Sequence, residues 1–218
     1  MIKHHLADEY LVEYAAGSLP EEESLITATH LAFCRECRIR VEALETLGSV
    51  LLEDSNGGSV SEDDFDAVMT KINRQEHPDP KKKNVFDETT LRLIPAPLRE
   101  YIECDLTDLN WKRSGRGIQE VTLKHDGGRR ISLLRIRPDQ RVPPHTHSGE
   151  EFTMVLDGGY NDGGAHYRSG DVSHLDGTVE HAPVADSDGP CLCLSVQTGP
   201  PQLTGKIGRI LNPFISGW

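Results

Sequence analysis

Two groups of potential metal ligands, one near each end of the chain, constrain its fold more than any other feature of the sequence. The first group combines histidines with two cysteines: His4, His5, His30, Cys34 and Cys37. The second combines three histidines with a glutamate: His145, His147, Glu151 and His181. Soft thiolates and harder imidazole–carboxylate sets suit different metals and different uses. The sequence therefore predicts two metal sites in two separate domains.

Charge divides the chain in the same way. Of its 218 residues, those at 1–80 include 17 acidic and 6 basic side chains, whereas those at 81–218 include 18 acidic and 17 basic ones. A strongly acidic first part should repel nucleic acid and attract a basic protein surface. We therefore expect no direct contact with nucleic acid. A solvated helical face that only aids solubility is the alternative interpretation.

The sequence lacks the signals of a membrane or exported protein. No segment approaches the roughly 20 apolar residues of a membrane-spanning helix, and residues 1–17 have no apolar core like that of a secretory signal. We expect a cytoplasmic location and no membrane partner. Five cysteines, an odd number, argue against a disulfide framework. Cys191 and Cys193 are interpreted as small core residues.

Periodicity separates a helical part from a β-rich part. Apolar residues at helical spacing predict four helices, with approximate ranges 8–16, 21–33, 34–51 and 61–72. A stretch rich in proline and lysine at 77–84 indicates an exposed linker. From about residue 109, short β-rich runs alternate with Asp-Gly-Gly turns, which favours a sandwich or a small barrel.

The spacing of the first cluster is compatible with a structural zinc site. His30, Cys34 and Cys37 stand at offsets of four and seven residues, which share one helix face and can also converge across a helix junction. Zinc needs four ligands, and two thiolates with two imidazoles are a common set. His4 or His5 would complete it, and zinc would then hold short helices together. Unrelated cysteines or a redox dithiol are the alternatives.

The second cluster has the spacing of ligands on a strand. Side chains alternate along a strand, so His145 and His147 point to the same side, and Glu151 has the same parity. His181 would come from a neighbouring strand. Three imidazoles and one carboxylate suit zinc, iron, manganese or nickel, and ligand type alone does not choose among them. Surface histidines in a loop are the alternative.

Both clusters resemble known motifs. The pattern His30-x-x-x-Cys34-x-x-Cys37, with an upstream histidine and four predicted helices, resembles the zinc-binding domain of bacterial anti-sigma factors, which wraps a sigma factor and blocks its access to RNA polymerase. The segment from His145 to Gly158 resembles the first motif of the cupin superfamily. Of the second cupin motif, Gly170 and His181 are present, whereas three usual proline, glycine and asparagine positions hold Asp176, Thr178 and Ala185.

The cupin resemblance implies a double-stranded β-helix barrel over about residues 105–200. It also implies that His145, His147, Glu151 and His181 hold a divalent metal. The anti-sigma resemblance implies that His5, His30, Cys34 and Cys37 hold zinc.

Together the motifs resemble the ChrR-like anti-sigma factors over almost the whole chain. The resemblance implies a two-domain α plus β protein, with a helical zinc-binding anti-sigma domain at 1–75, a linker at 76–104, a cupin domain at 105–200 and a tail at 201–218. It implies sequestration of an extracytoplasmic-function sigma factor, with release when the cupin senses singlet oxygen or a peroxide. The apolar helix positions expected to contact that partner are Leu44, Leu47, Phe65, Val68 and Met69.

A metal-dependent cupin enzyme, a dioxygenase or isomerase, is the alternative, because the cupin ligands leave coordination positions for substrate and oxygen. An enzyme has no evident need for an acidic helical zinc domain. We therefore expect a transcription regulator and not an enzyme. The sequence leaves open the inducing signal, the cupin metal, the role of Cys191 and Cys193, and dimerisation.

Overall fold

A computed structural model describes residues 1–55, 57–58, 61–74 and 85–204. The helices within these residues are α1 (Asp8–Ala15), α2 (Glu21–Phe33), α3 (Arg35–Glu53), α4 (Glu62–Arg74), α5 (Glu88–Leu93) and α6 (Ala96–Arg99). The strands are β1 (Lys112–Gly115), β2 (Ile118–Asp126), β3 (Arg129–Ile136), β4 (His145–His147), β5 (Glu151–Asp157), β6 (Gly159–Asp162), β7 (Ala165–Arg168), β8 (Val172–Leu175), β9 (Val184–Ala185), β10 (Cys191–Gln197) and β11 (Pro201–Leu203). The predicted helical first part and β-rich second part are confirmed.

Local signals mark one end of each of the helices α1, α2 and α4. Gly17, which follows the C-cap residue of α1, has a positive φ of 68°, a conformation that glycine adopts without steric cost. Three glutamates occupy the first turn of α2, where the helix dipole favours negative charge. Before α4, Ser61 Oγ accepts a hydrogen bond from the Asp64 amide at 3.2 Å, and Asp64 Oδ2 accepts one from the Ser61 amide at 3.0 Å. This reciprocal cap explains where α4 begins.

Part of the segment expected to be a linker is folded. Helices α5 and α6 lie within it, and Ile94, Leu98 and Ile102 are buried in the same hydrophobic core as α2. Their burial depends on partners far away in sequence, which local composition does not reveal. The proline- and lysine-rich stretch 77–84 lies outside the described residues, as does most of the predicted tail.

The β part consists of antiparallel strands in three groups. The largest sheet has the order β1-β2-β3-β10-β5-β8, and β7-β6-β9 and β11-β4 form two smaller sheets. Strands β3, β5 and β10 lie in the region beyond about residue 109 that the sequence predicts to be β-rich. Cys191 and Cys193 are buried on β10, with their sulfur atoms 3.4 Å apart.

One hydrophobic core joins the helices to the large sheet. Leu25 and Ile26 of α2 belong to the same buried cluster as Leu133 of β3 and Phe152 of β5. By contrast, no residue of α4 is buried, and α3 has no buried residue after Val41. Among the described residues, no helix is both long and apolar enough to cross a bilayer.

Two candidate metal centres

The N-terminal cluster brings together ligands from three places in the chain. His5 precedes α1, His30 lies in the last turn of α2, and the two cysteines flank the start of α3. His5 Nδ1 is 3.3 Å from the sulfur atoms of both Cys34 and Cys37, and His30 Nε2 is 3.3 Å from the Cys37 sulfur. All four ligand atoms lie within 4.8 Å of one another. The structure brings His5 and not His4 into the cluster, since the His4 ring packs against Tyr167 with centroids 4.3 Å apart.

This geometry fits zinc. Zinc–nitrogen bonds of about 2.0 Å and zinc–sulfur bonds of about 2.3 Å place tetrahedral ligand atoms about 3.5 Å apart. His30 Nδ1 lies 2.9 Å from the Gly170 carbonyl. A carbonyl only accepts, so Nδ1 must carry the proton and Nε2 offers its lone pair to the cluster. Burial also lowers the pKa of His30, which favours the neutral ligand form.

The cupin cluster is held by strands and their connections. His145 and His147 are the ends of β4, Glu151 opens β5, and His181 is paired with His145 by two backbone hydrogen bonds of 3.0 Å. His147 Nε2 lies 3.2 Å from His181 Nε2 and 3.2 Å from Glu151 Oε2. One ligand atom from each of the four residues lies within 4.8 Å of the other three, an arrangement that a divalent cation could occupy.

Neighbouring side-chain and backbone groups orient the cupin ligands. Asp162 Oδ2 accepts a hydrogen bond from His181 Nδ1 at 2.7 Å, and the Pro143 carbonyl accepts one from His145 Nδ1 at 2.8 Å. Both rings therefore carry their proton on Nδ1 and can offer the lone pair of Nε2 to a metal. Gln197 Nε2 donates to Glu151 Oε1 at 2.6 Å. Sequence reasoning missed both residues. It identified the Asp-Gly-Gly segment at 162–164 only as a turn, and Gln197 belongs to no motif in the sequence.

The cupin cluster is charged before a metal arrives. Burial raises the pKa of Glu151, but the hydrogen bond with His147 and the charges of the three imidazoles outweigh burial and lower that pKa to about 2. Burial lowers the pKa of His145. The cluster thus combines an ionised carboxylate with imidazole nitrogens.

A cavity of about 680 Å³ opens beside the cupin cluster. His145 and Glu151 line it, together with Ser195 and Gln197. Its apolar lining residues are Ile118, Val121, Leu134, Ile136, Val142 and Leu203. Its volume is that of a site for a small molecule.

The predicted partner-binding positions differ in exposure. Leu47, Phe65, Val68 and Met69 are exposed, and Phe65 retains 62% of its accessible surface. Leu44 is half-buried and packs against the core. Five further large apolar residues on α3 and α4 are exposed as well: Ile39, Val50, Leu51, Leu52 and Ile72. Many large exposed apolar residues on two successive helices favour an interaction site.

Comparisons with known proteins agree with the two-part architecture. Residues 99–201 match the family model described as the ChrR Cupin-like domain. The chain is similar to the anti-sigma-E factor ChrR of Cereibacter sphaeroides, with 36% identity over 214 residues that cover 98% of each chain. It is also similar to the crystal structure of Rhodobacter sphaeroides SigE in complex with the anti-sigma ChrR, with a TM-score of 0.75 and 36% identity, over 90% of this chain and 100% of that chain.

Proposed function

The chain belongs to the ChrR family of anti-sigma factors, and on that premise we propose that it binds an extracytoplasmic-function sigma factor and releases it in response to an oxidative signal. Membership makes the chain a regulator rather than an enzyme. The signal would be singlet oxygen or a peroxide that acts through the cupin. A sigma factor works where RNA polymerase is, so the proposed location is the cytoplasm.

The exposed apolar surface of α3 and α4 is the observation that carries this proposal. Its members include Leu47, Phe65, Val68 and Met69. All four side chains are exposed, so packing in the core of the protein does not explain why they are apolar. Four acidic residues lie within the first five positions of α4. An apolar surface rimmed by negative charge suits a partner with a complementary apolar groove and a basic surround. A sigma factor, which must bind DNA, has such basic surfaces.

The two metal centres have different proposed roles. The N-terminal cluster of His5, His30, Cys34 and Cys37 would hold structural zinc, because four protein ligands complete a tetrahedron and leave no open position. The cupin cluster of His145, His147, Glu151 and His181 would hold zinc or another divalent transition metal. The adjacent cavity gives a small molecule access to that metal.

Partner binding is tested by co-expression with an extracytoplasmic-function sigma factor from the same organism, followed by purification and titration. Val68→Ala should weaken the complex, and Phe65→Ala should weaken it more, by about 2 kcal/mol or above, as an aromatic residue at the centre of an interface does. Val179→Ala is the matched control, because Val179 is also exposed but lies in the cupin part. A complex that forms with equal affinity in all three variants would rule out this surface.

The sensing role is tested on the purified complex. Exposure to photogenerated singlet oxygen or to an organic hydroperoxide should dissociate the complex, and size-exclusion chromatography would measure the free sigma factor. The double variant His145→Ala and His147→Ala should form the complex and fail to release it. Release at the normal rate from that variant would show that the cupin metal centre has no part in sensing.

A further inference from the structure

The turn between β7 and β8 of the cupin contacts the N-terminal metal cluster from outside. His30 Nδ1 donates to the Gly170 carbonyl at 2.9 Å. Asp171 Oδ1 accepts hydrogen bonds from the Lys3 amide at 2.7 Å and from the His4 amide at 2.9 Å. The Val172 amide donates to the His4 carbonyl at 3.1 Å. The first residues of the chain are therefore held along β8, the edge strand of the large sheet.

These contacts fix the positions of the two histidine ligands of the cluster. The amide and the carbonyl of His4 are both hydrogen-bonded, so the backbone that leads directly into His5 is fixed in position. His30 is fixed through its own ring. The two cysteines instead depend on the junction of α2 and α3, where the Cys37 amide lies 3.4 Å from the Cys34 sulfur.

Both carboxylate oxygens of Asp171 accept hydrogen bonds in this arrangement. It is 3% exposed, and its second oxygen accepts the Arg168 amide at 2.8 Å. Burial raises the pKa of its carboxyl group, but the three backbone amides outweigh burial and lower the pKa below its ordinary value. A buried, ionised carboxylate that accepts backbone amides from both parts of the molecule is a strong and directional contact.

Gly170 allows the close approach. Its φ is +93°, and a Cβ placed there would lie 2.6 Å from Ile2 Cδ1 and 3.2 Å from Phe33 Cβ. Ile2 belongs to the segment that leads into His5, and Phe33 directly precedes Cys34. Any side chain at 170 would therefore push away the two chain segments that bring in the ligands.

We propose that Gly170 and Asp171 are positioning residues for the N-terminal metal centre, so that docking of the cupin sets how tightly that centre holds its metal and how readily its thiols react. This inference rests on the proposed zinc site and adds a physical connection between the two parts. A cupin that shifts against the helices removes the outer support of His5 and His30. Hydrogen bonds of this kind to metal-ligating histidines contribute about 10- to 100-fold in metal affinity.

The test uses the full chain loaded with Co²⁺ in place of zinc. Thiolate-to-cobalt charge-transfer absorption reports on the N-terminal cluster, because the cupin cluster contains no cysteine. Affinity is measured by competition with a chelator, and the rate of metal loss is measured after adding excess chelator. We expect Gly170→Ala and Asp171→Ala each to lower the affinity by about 10- to 100-fold and to speed metal loss and thiol modification of Cys34 and Cys37.

Two matched controls separate positioning from damage to the turn. Gly164→Ala places a side chain at a similar φ of +87° with nothing within 4 Å of the new Cβ. Asp176→Ala removes a carboxylate that accepts from Thr178 in another cupin loop. Both controls should keep the affinity and release rate of the unaltered protein. If Gly170→Ala does not fold, Asp171→Ala decides the question alone.

The outcomes distinguish this inference from the zinc site on which it rests. Unchanged affinity and release in Gly170→Ala and Asp171→Ala, with charge-transfer absorption present and lost in Cys37→Ser, would overturn the positioning role and leave the zinc site standing. Absence of that absorption in the unaltered cobalt protein would overturn both.

Discussion

The two candidate metal centres are built in opposite ways. The cupin ligands lie on or beside neighbouring strands, and hydrogen bonds within the barrel orient them, such as that between His181 and Asp162. The N-terminal ligands come from a terminal segment and two helices, and contacts with residues more than 130 positions away support two of them. The first kind of site is stable wherever its sheet is stable. The second depends on how two parts of the molecule are docked.

Removal of one ligand should show the largest difference between the two clusters in their effect on folding and on partner binding. Cys37→Ser should unfold the start of α3 and weaken the complex with the sigma factor by at least about a hundredfold, or ~2.8 kcal/mol, because zinc binding supplies folding free energy in small helical domains. His147→Ala should leave both the barrel and the complex in place. Circular dichroism and titration with the sigma factor would measure these effects. Equal losses in the two variants would mean that both metals are structural.

Loss of the Asp162 carboxylate, which orients His181, should have the next largest effect. Asp162→Asn removes the charged acceptor of His181 Nδ1 and should lower metal affinity at the cupin by about 10- to 100-fold. Asp186→Asn is the control, since Asp186 forms the same kind of pair with His166 at 2.8 Å, and His166 belongs to neither cluster. Isothermal titration with Zn²⁺ distinguishes the sites. A similar loss in both variants would mean that the barrel, and not the ligand, has been disturbed.

The clusters should also differ in their response to pH. Burial and the hydrogen bond with Cys34 raise the pKa of Cys37 to about 12, so its thiol is protonated at neutral pH and zinc must displace that proton. Affinity at the N-terminal cluster should therefore rise with pH, by about tenfold per unit for each proton released. Glu151, with its pKa near 2, is already ionised and releases none. Cobalt competition at several pH values would measure both slopes, and equal slopes would contradict this difference.

Charged contacts between the helices and the sheet should have the smallest effect. Lys124 Nζ lies 2.6 Å from Glu21 and 3.1 Å from Glu22, and its side chain is partly exposed. Lys124→Met should cost about 0.5 to 1 kcal/mol of unfolding free energy at low salt and less at high salt. Lys112→Met, at an exposed position of β1, should cost less. Thermal unfolding at two salt concentrations gives both values, and a salt-independent loss would point to packing instead of charge.

Short motifs carried most of what could be predicted from the sequence. The ligand sets follow from spacing and from resemblance, and Gly17, Ser61 and the acidic first turn of α2 mark helix ends through local chemistry alone. His4 and His5 could not be separated in this way, because both precede α1 closely. The contact between His4 and Tyr167 decides between them, and that contact spans 163 positions.

What the sequence did not reveal lies in contacts between distant residues. Asp162, Gln197 and Asp171 are ordinary polar residues in turn or strand patterns, and their roles exist only once the sheets have formed. The folded segment with Ile94 and Leu98 was missed for the same reason. Its apolar residues are too few to predict a helix by their spacing, and the helices depend on the core that these residues join. Tertiary burial and hydrogen bonding by distant partners leave no local periodicity to read.

The β7–β8 turn is synthesised well after the histidine ligands that it supports. The ribosome makes His5, His30, Cys34 and Cys37 before residue 40, but the turn that supports the two histidines follows some 130 residues later. At about 5–20 residues per second, this interval lasts about 7 to 30 s. During that time, the nascent helices have no cupin against which to dock. A newly made chain therefore presents its four N-terminal ligand residues before the cupin that packs against them has been made.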